Sequence, residues 1–247
     1  MPGLPDDLAR LWRQRKPARL GRPAGLDVDQ VVRVAVDLAD RAGLPGATLP
    51  KIAAELGVTP MSLYRHIGSK EELLVLMGDL GYGLPPEPQS PQDDWRAQLH
   101  DWAHAQWDVH RRRPWLTHLP IAGPPRGPHH TAWLDAGLRA LRDTALTPGA
   151  KLGTLAVVSG YVRQADQQAQ QLAAGWLADG RDQPRHEQHY GRQMAALIDA
   201  TDFPDAAALF ASGLFESPPP TADPTGDDFR FGLNLILDGV AASIAGG

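Results

Sequence analysis

Residues 48–74 read TLPKIAAELGVTPMSLYRHIGSKEELL, and this stretch contains the strongest local folding signals in the chain. A capped helix is predicted over Leu49–Leu56. The Pro in its first turn is compatible with this helix. Gly57 supplies the left-handed backbone that a sharp turn requires. Thr59 then caps a second short helix, Pro60–Ile67, with Pro at its first position. Two short helices joined by a tight turn form the helix-turn-helix arrangement.

The flanking sequence predicts a helix on each side of this pair. Apolar residues recur at helical spacing over Val31–Ala42, and Gly43 ends that helix. Ser69 and Glu72 make a capping box for a third helix, from Lys70 to about Tyr82. The apolar faces of these helices can close a small core.

The second helix carries polar and basic side chains that a buried helix would not tolerate. Donors of this kind contact DNA phosphates and base edges, whereas a generic helical hairpin has no need of them. We therefore expect double-stranded DNA as a partner. The candidate contact residues are Lys51, Thr59, Pro60, Met61, Ser62, Tyr64, Arg65, His66 and Lys70.

The rest of the chain also reads as helical, which predicts an all-α fold. Pro and Gly cluster in three loops, Gly83–Pro91, Pro120–Pro128 and Ser217–Gly226. Between them lie helical patterns and no run of alternating strand pattern. The helices are predicted over Trp95–Arg111, from Leu152 to about Ala174, and around Leu233–Ile244.

Composition excludes several classes of protein. The chain has 247 residues, 43% of them hydrophobic, so it can form a packed core. It has no Cys, which excludes disulfides, Cys-ligated zinc and thiol catalysis. We expect a cytoplasmic protein with no membrane association, because no apolar run approaches about 20 residues and no signal peptide begins the chain. An all-α enzyme is a remote alternative, since no hydrolase, metalloprotease or phosphate-loop motif occurs.

A basic segment precedes the predicted DNA-binding helices, although the whole chain has a formal net charge of −5. Such an arm suggests a polyanionic partner that meets one end of the protein, but a solvated tail would look the same. Between Leu8 and Leu26 the basic residues, with no acidic one among them, are Arg10, Arg13, Arg15, Lys16, Arg19 and Arg22.

Residues 57–74 resemble the DNA-binding segment of TetR-family transcriptional regulators. After a small-residue turn, the order aliphatic-Tyr-x-His-aliphatic-x-x-Lys is present at Tyr64, His66 and Lys70. Further segments resemble the C-terminal domain of the tetracycline repressor subfamily. They are Asp94-Trp95, Arg113-Pro114-Trp115-Leu116 and Phe229–Gly239 (FRFGLNLILDG).

The resemblance implies a homodimer that reads a palindromic operator. It divides the chain into a basic flexible arm (1–26), a DNA-binding domain with a connecting helix (27–82), and a ligand-binding and dimerisation domain (92–247). Many relatives carry an Arg that can read guanine where this chain has Pro50. Recognition of bases therefore depends more on the second helix. The basic arm can add contacts to phosphates or to the minor groove. The implied roles are base contact for Pro60, Met61 and Tyr64, and phosphate contact for Ser62, His66, Lys70 and Lys51.

The resemblance also implies a cavity for a small-molecule effector, whose identity the sequence does not reveal. Trp102 and Gln106 are four residues apart on one predicted helix, so an aromatic wall and an amide lie side by side. No cofactor and no metal are expected, because the pairs His129-His130 and His186/His189 are interpreted as loop or surface residues. Further candidate lining residues are Trp133, Leu134, Val158, Tyr161 and Val162.

The last helix is apolar nearly all round, which favours burial against a second copy as well as its own domain. We therefore expect a repressor that a ligand releases from its operator. An activator, or a DNA-binding protein that responds to no ligand, remains the alternative.

Overall fold

The structure is a computed structural model that describes residues 5–12, 26–91, 93–121, 123–178, 183–216 and 223–246. Every regular element within these ranges is helical, which confirms the predicted all-α class. Two short 3₁₀ turns cover Leu44–Gly46 and Pro114–His118. In chain order the α-helices are α1 (Asp6–Leu11), α2 (Val28–Ala42), α3 (Leu49–Glu55), α4 (Pro60–Ile67), α5 (Lys70–Tyr82), α6 (Trp95–Arg112), α7 (Pro128–Ala140), α8 (Pro148–Ala178), α9 (Gln183–Leu197), α10 (Pro204–Ala211) and α11 (Pro224–Ala245).

The chain forms two compact units. The first comprises residues 1–166 and 236–247, and the second comprises residues 167–235. In the second unit Tyr190, Phe210 and Phe215 form an aromatic cluster, with the Phe210 and Phe215 ring centroids 5.1 Å apart. The division into functional domains at 27–82 and 92–247 stays a prediction.

Helices α3 and α4 form the predicted helix-turn-helix. Gly57 has φ +65°, and the Val58 amide donates to the Ala53 carbonyl at 2.9 Å, which closes the turn. Ile52 and Leu63 are fully buried between these helices and α2. A tight local turn and a shared apolar core thus hold α4 in place.

The capping box predicted at the start of α5 forms on one side only. The Ser69 hydroxyl accepts a hydrogen bond from the Glu72 amide at 3.1 Å. The second hydrogen bond of a capping box, from the Ser69 amide to the Glu72 carboxylate, does not form, because this carboxylate pairs with Arg10 of α1. A long-range ion pair therefore replaces the local cap contact that the sequence predicts.

Helix α1 changes the interpretation of the basic arm. The sequence suggests a flexible arm over residues 1–26, yet Asp6–Leu11 is helical and Leu11 is 3% exposed. Asp7 pairs with Arg126, whose carbonyl also accepts the Trp12 indole N–H at 2.8 Å. The prediction of a flexible segment is thus wrong for α1, since its contacts hold it on the protein. The basic residues from Arg13 to Arg22 lie outside the described residues.

Two helices begin earlier than the sequence predicts. The long helix α8 begins at Pro148, where the Thr147 hydroxyl accepts the Ala150 amide at 3.2 Å. Helix α11 begins inside a predicted loop, where the Asp223 carboxylate accepts the Gly226 amide at 3.0 Å. Proline is compatible with the first helical position, so these Pro-rich stretches hold helix starts as well as loops.

A close approach of α7 to α6 and α8 depends on Gly137. A Cβ at this position would lie 2.7 Å from Leu155 Cδ2 and 3.0 Å from Trp102 Cε2. Glycine therefore permits the packing that places Trp102 beside Trp133.

Candidate nucleic-acid interface and effector cavity

Helix α4 buries one face and exposes the other. Leu63 and Ile67 are fully buried, whereas Met61 is 73% exposed and Tyr64 is 40% exposed. Because residues three and four positions apart share a helix face, Met61 and Tyr64 lie together on the outer side with Arg65. An exposed Met beside an exposed Tyr offers apolar contact at a surface.

Hydrogen-bond donors and positive charges surround this outer face. Lys51, Arg65 and Lys70 are exposed, and none has an ion-pair partner in the described part of the chain. The Thr59 and Ser62 hydroxyls lie 2.9 Å apart at the start of α4. Pro60 is also exposed, and His66 is half-buried. The arrangement can contact phosphates along its edge and base edges at its centre.

A cavity of about 230 Å³ lies between α6, α7 and the Pro-rich segment 85–89. Trp102 from α6 and Trp133 from α7 form two of its walls. The Trp102 indole N–H donates to the Trp133 carbonyl at 2.9 Å, so the two helices are joined beside the cavity. The indole rings supply flat apolar surface.

The segment 85–89, which we call the proline strap, is held at both ends. Before it, the Gly83 carbonyl accepts the Trp133 indole N–H at 3.0 Å. After it, Ser90 donates from both its amide and its hydroxyl to Asp101 Oδ2, at 3.0 and 2.7 Å. Gln98 also donates to the Pro91 carbonyl at 2.8 Å. The strap therefore closes one side of the cavity as a positioned segment.

Five of the residues predicted to contact the effector do not line this cavity. The Gln106 side chain is buried and accepts a hydrogen bond from the Ser159 hydroxyl at 3.0 Å. Two of the others are fully buried in the core, and two are half-buried. Packing against neighbouring helices accounts for their positions, and their role with the effector stays a prediction. The two fully buried residues are Val158 and Val162, and the two half-buried residues are Leu134 and Tyr161.

A buried carboxylate joins α5 to α7, and the sequence reasoning missed it. Asp79 of α5 is 1% exposed, and its two oxygens lie 2.8 Å from His129 Nδ1 and 3.1 Å from His130 Nδ1. Burial raises the pKa of Asp79, but hydrogen bonds from His130 and His129 outweigh it and leave the pKa below its usual value. The interpretation of His129 and His130 as loop residues is wrong, because both lie in the first turn of α7 and bind this carboxylate.

A second polar contact joins α5 to α6. The Tyr82 hydroxyl lies 2.8 Å from His110 Nε2, and His110 Nδ1 is buried with no hydrogen-bond partner among the described residues. Burial raises the pKa of Tyr82, and burial together with the Arg163 charge lowers the pKa of His110 to about 4. Asp79 and Tyr82 are three residues apart, so a polar pair on one face of α5 was the sequence signal for both contacts.

Two family models match the chain. Residues 31–77 match the family described as "Bacterial regulatory proteins, tetR family". Residues 87–244 match the family described as "Tetracyclin repressor-like, C-terminal domain", which is more than half of the chain. The chain belongs to the TetR family. This finding confirms the resemblance of residues 57–74 and of the C-terminal segments.

Named relatives in the TetR family are transcriptional regulators. The chain is 33% identical to the HTH-type transcriptional repressor DrrR1 of Streptomyces coeruleorubidus, over 97% of this chain and 87% of the relative. It is 29% identical to the class A tetracycline repressor protein from transposon 1721 of Escherichia coli, over 76% and 87% of the two chains. The family is therefore one of DNA-binding regulators rather than of enzymes.

Solved structures of the TetR fold are similar to this chain. The apo form of the TetR family protein ActR from Streptomyces coelicolor has a TM-score of 0.73 at 21% identity, covering 91% of this chain and 99% of ActR. Its complex with actinorhodin has a TM-score of 0.72 at 22% identity, covering 90% and 99%. At these identities the likeness establishes the fold. Among the described residues of this TetR-family chain, no helix is long and apolar enough to cross a membrane.

Proposed function

We propose that this TetR-family chain is a homodimeric repressor that binds a palindromic operator and leaves it when a small molecule binds. The observation that carries the proposal is the outer face of α4, where exposed Met61 and Tyr64 are bordered by the exposed basic residues Lys51, Arg65 and Lys70. The name of the relative that is 33% identical, a transcriptional repressor, supports repression.

The outer face divides into base-reading and phosphate-binding groups. Pro60, Met61 and Tyr64 lie centrally, and an apolar side chain there suits the methyl group of thymine. The surrounding groups donate hydrogen bonds or carry positive charge, so they suit phosphate oxygens. The phosphate-binding group comprises Lys51, Thr59, Ser62, Arg65, His66 and Lys70.

Two helices each carry an exposed apolar stripe that a second copy can cover. On α8 the stripe contains Gly153, Ala156, Val157 and Gly160. On α11 the corresponding exposed residues are Phe231, Leu235, Gly239 and Ala242. Small residues allow close approach of helices, and a two-fold dimer presents two copies of α4 to half-sites about 34–36 Å apart.

The cavity between α6, α7 and the proline strap is the proposed effector site. Its two Trp walls suit a molecule with a flat aromatic ring. The crystallised complexes of ActR with actinorhodin and with (S)-DNPA support a small-molecule ligand for this fold. The effector itself is unidentified, and the proposal needs no cofactor or metal.

The contacts of α5 supply a route from this cavity to α4. Asp79 binds α7 and Tyr82 binds α6, and α5 follows α4 after Gly68 and Ser69. A ligand that separates α6 from α7 would therefore move α5 and change the spacing of the two α4 helices. Such a ligand must bind the released state more tightly than the DNA-bound state.

Operator binding tests the α4 assignment through a matched pair of variants. Lys70→Ala and Lys151→Ala each remove one positive charge, but only Lys70 borders α4. We expect Lys70→Ala to weaken binding to the intergenic DNA upstream of the gene and to reduce the slope of log K against log salt by about one. Fluorescence anisotropy over a range of salt concentrations measures both quantities.

Lys151 lies on α8, where its Nζ donates to the Arg142 carbonyl at 2.8 Å. Lys151→Ala should therefore leave the DNA affinity and the salt slope at the wild-type values. If both variants bind DNA like the wild type, the outer face of α4 does not contact the operator and the proposal is wrong.

A further inference from the structure

We infer that the cavity between α6, α7 and the proline strap selects an organic cation that carries a flat aromatic ring. This inference rests on the proposed function of the cavity as the effector site. It adds the charge class of the ligand, which neither the family nor the named relatives specify.

The charges along the cavity are mostly negative. Asp101 and Asp108 lie seven residues apart on α6, so two turns of helix place both carboxylates on the same side. Ala105 lies between them and its small side chain leaves space. Glu87 adds a third carboxylate from the proline strap. A ligand that contacts Trp102 in this cavity would thus lie near these three carboxylates.

Asp101 retains an acceptor oxygen for a ligand. Ser90 donates both of its hydrogen bonds to Asp101 Oδ2, and among the described residues no donor reaches Oδ1. Asp108 is exposed and has no hydrogen-bond or ion-pair partner in the described part of the chain. An ammonium group needs acceptors of this kind, and it forms charge-assisted bonds with carboxylates.

The positive charge that lines the cavity already has partners. Arg139 Nη2 lies 3.5 Å from Asp135 Oδ2 on its own helix, and Nη1 lies 3.9 Å from Glu87 Oε2 on the strap. These carboxylates compete with an anionic ligand for Arg139. The three carboxylates in the lining outnumber its one guanidinium, so the combined charge of these groups favours a cation.

The Trp walls favour the same class of ligand. Each indole N–H is bound to a backbone carbonyl, Trp102 to Trp133 and Trp133 to Gly83. The indoles therefore have no donor left for an anion and present apolar surface to the cavity. The face of an indole attracts a cation through its quadrupole, and Trp is the best such partner among the aromatic residues. The cavity volume of about 230 Å³ lies just below the range of about 300–1,000 Å³ typical of ligand pockets, so the cavity suits a small ring ligand.

Three probes with the same ring and different charges test the inference. Naphthylmethylammonium is a cation, naphthylmethanol is neutral and naphthylacetate is an anion. Isothermal titration calorimetry on the full chain without DNA measures each dissociation constant. We expect the cation to bind about ten-fold or more tightly than the alcohol, the anion to bind weakest, and the preference to shrink as salt is added.

Single-residue variants test which carboxylates cause the preference for the cationic probe. Asp101→Asn and Asp108→Asn should each reduce the cation affinity several-fold and leave the alcohol affinity nearly unchanged. Asp143→Asn is the matched control, because Asp143 is exposed, does not line the cavity and has no ion-pair partner in the described part of the chain. It should leave the cation affinity at the wild-type value.

Three results would overturn the inference: equal affinity for the three probes, tightest binding of the anion, or no binding of any probe. The salt dependence of operator binding by Lys70→Ala is measured separately. A regulator that binds DNA through α4 but fails the probe test keeps its proposed function and loses the cation preference.

Discussion

At the residue scale, buried polar side chains make the specific links between helices of the first compact unit. His110 is 2% exposed, and its pKa of about 4 means that the imidazole is neutral near neutral pH. Neutral His110 can accept or donate one hydrogen bond with Tyr82 while its ring stays buried. The cost of burying a charge explains why this residue titrates so low.

The low pKa of His110 predicts a loss of stability in mild acid. The unfolded chain binds a proton as the pH falls below 6.5, whereas the folded chain does not until about pH 4. The free energy of unfolding should therefore fall by about 3 kcal/mol between pH 6.5 and pH 4 from this residue alone. Urea unfolding followed by circular dichroism at several pH values measures the loss.

The variant His110→Gln isolates this contribution, because its amide keeps a polar group near Tyr82 without titrating. At pH 7.5 the variant should be less stable than the wild type, and the difference should narrow as the pH falls towards 4. Stability curves that stay parallel over this range would show that His110 does not titrate as described.

At the element scale, α1 depends on its contacts with the rest of the first unit. A helix of six residues is unstable alone, because the nucleation cost exceeds the gain from its few hydrogen bonds. Leu11 is buried, Arg10 pairs with Glu72, and Asp7 pairs with Arg126. These contacts connect the N-terminal segment to the start of α5 and to the loop before α7.

Truncation of Leu11 should therefore release α1 while the other helices persist. We expect Leu11→Ala to raise hydrogen exchange across Asp6–Leu11 strongly, since removing a buried Leu side chain costs about 2–5 kcal/mol and the helix has little other burial. Exchange in α3 and α6 should stay unchanged. Mass spectrometry of deuterated peptides measures both regions.

Leu84→Ala serves as the control, because Leu84 is 71% exposed and lies outside α1. It should not alter exchange in α1. Equal protection of α1 in the wild type and in Leu11→Ala would mean that Leu11 does not hold this helix.

At the scale of the whole molecule, the exposed apolar stripes on α8 and α11 predict self-association. Val157 is 58% exposed on α8 and Phe231 is 68% exposed on α11. Single exposed apolar residues are common, but stripes at helical spacing with Gly and Ala between them are typical of helix interfaces. The proposed dimer would remove both stripes from water.

A charge in the α8 stripe should break the dimer. We expect Val157→Asp to shift the chain from dimer to monomer. Operator binding should weaken by at least about 100-fold, because a monomer cannot bind both half-sites at once. Size-exclusion chromatography with light scattering gives the mass. Leu84→Asp adds the same charge at another exposed apolar position and should remain dimeric. If Val157→Asp also remains dimeric, the interface lies elsewhere.

Local signals in the sequence were sufficient for the DNA-binding helices and the family. Gly57, Pro60 and Ser69 act on the backbone within about four residues, so their effects can be read without knowing any distant partner. The helices α2 to α5 agree with the predicted ones to within three residues at each end. The pattern of Tyr64 and His66 on α4 and Lys70 at the start of α5 was equally local.

Contacts between distant residues were decided by tertiary structure. Asp79 lies 50 residues from His129, and Ser90 binds Asp101 of α6 just after the proline strap. The Glu72 carboxylate pairs with Arg10 instead of completing the predicted capping box. No periodicity encodes such pairings, because they depend on how whole helices pack. The cavity shows the same limit. Trp102 and Trp133 line it, whereas Gln106 turns to Ser159, since a buried amide takes the nearest partner that the packing provides.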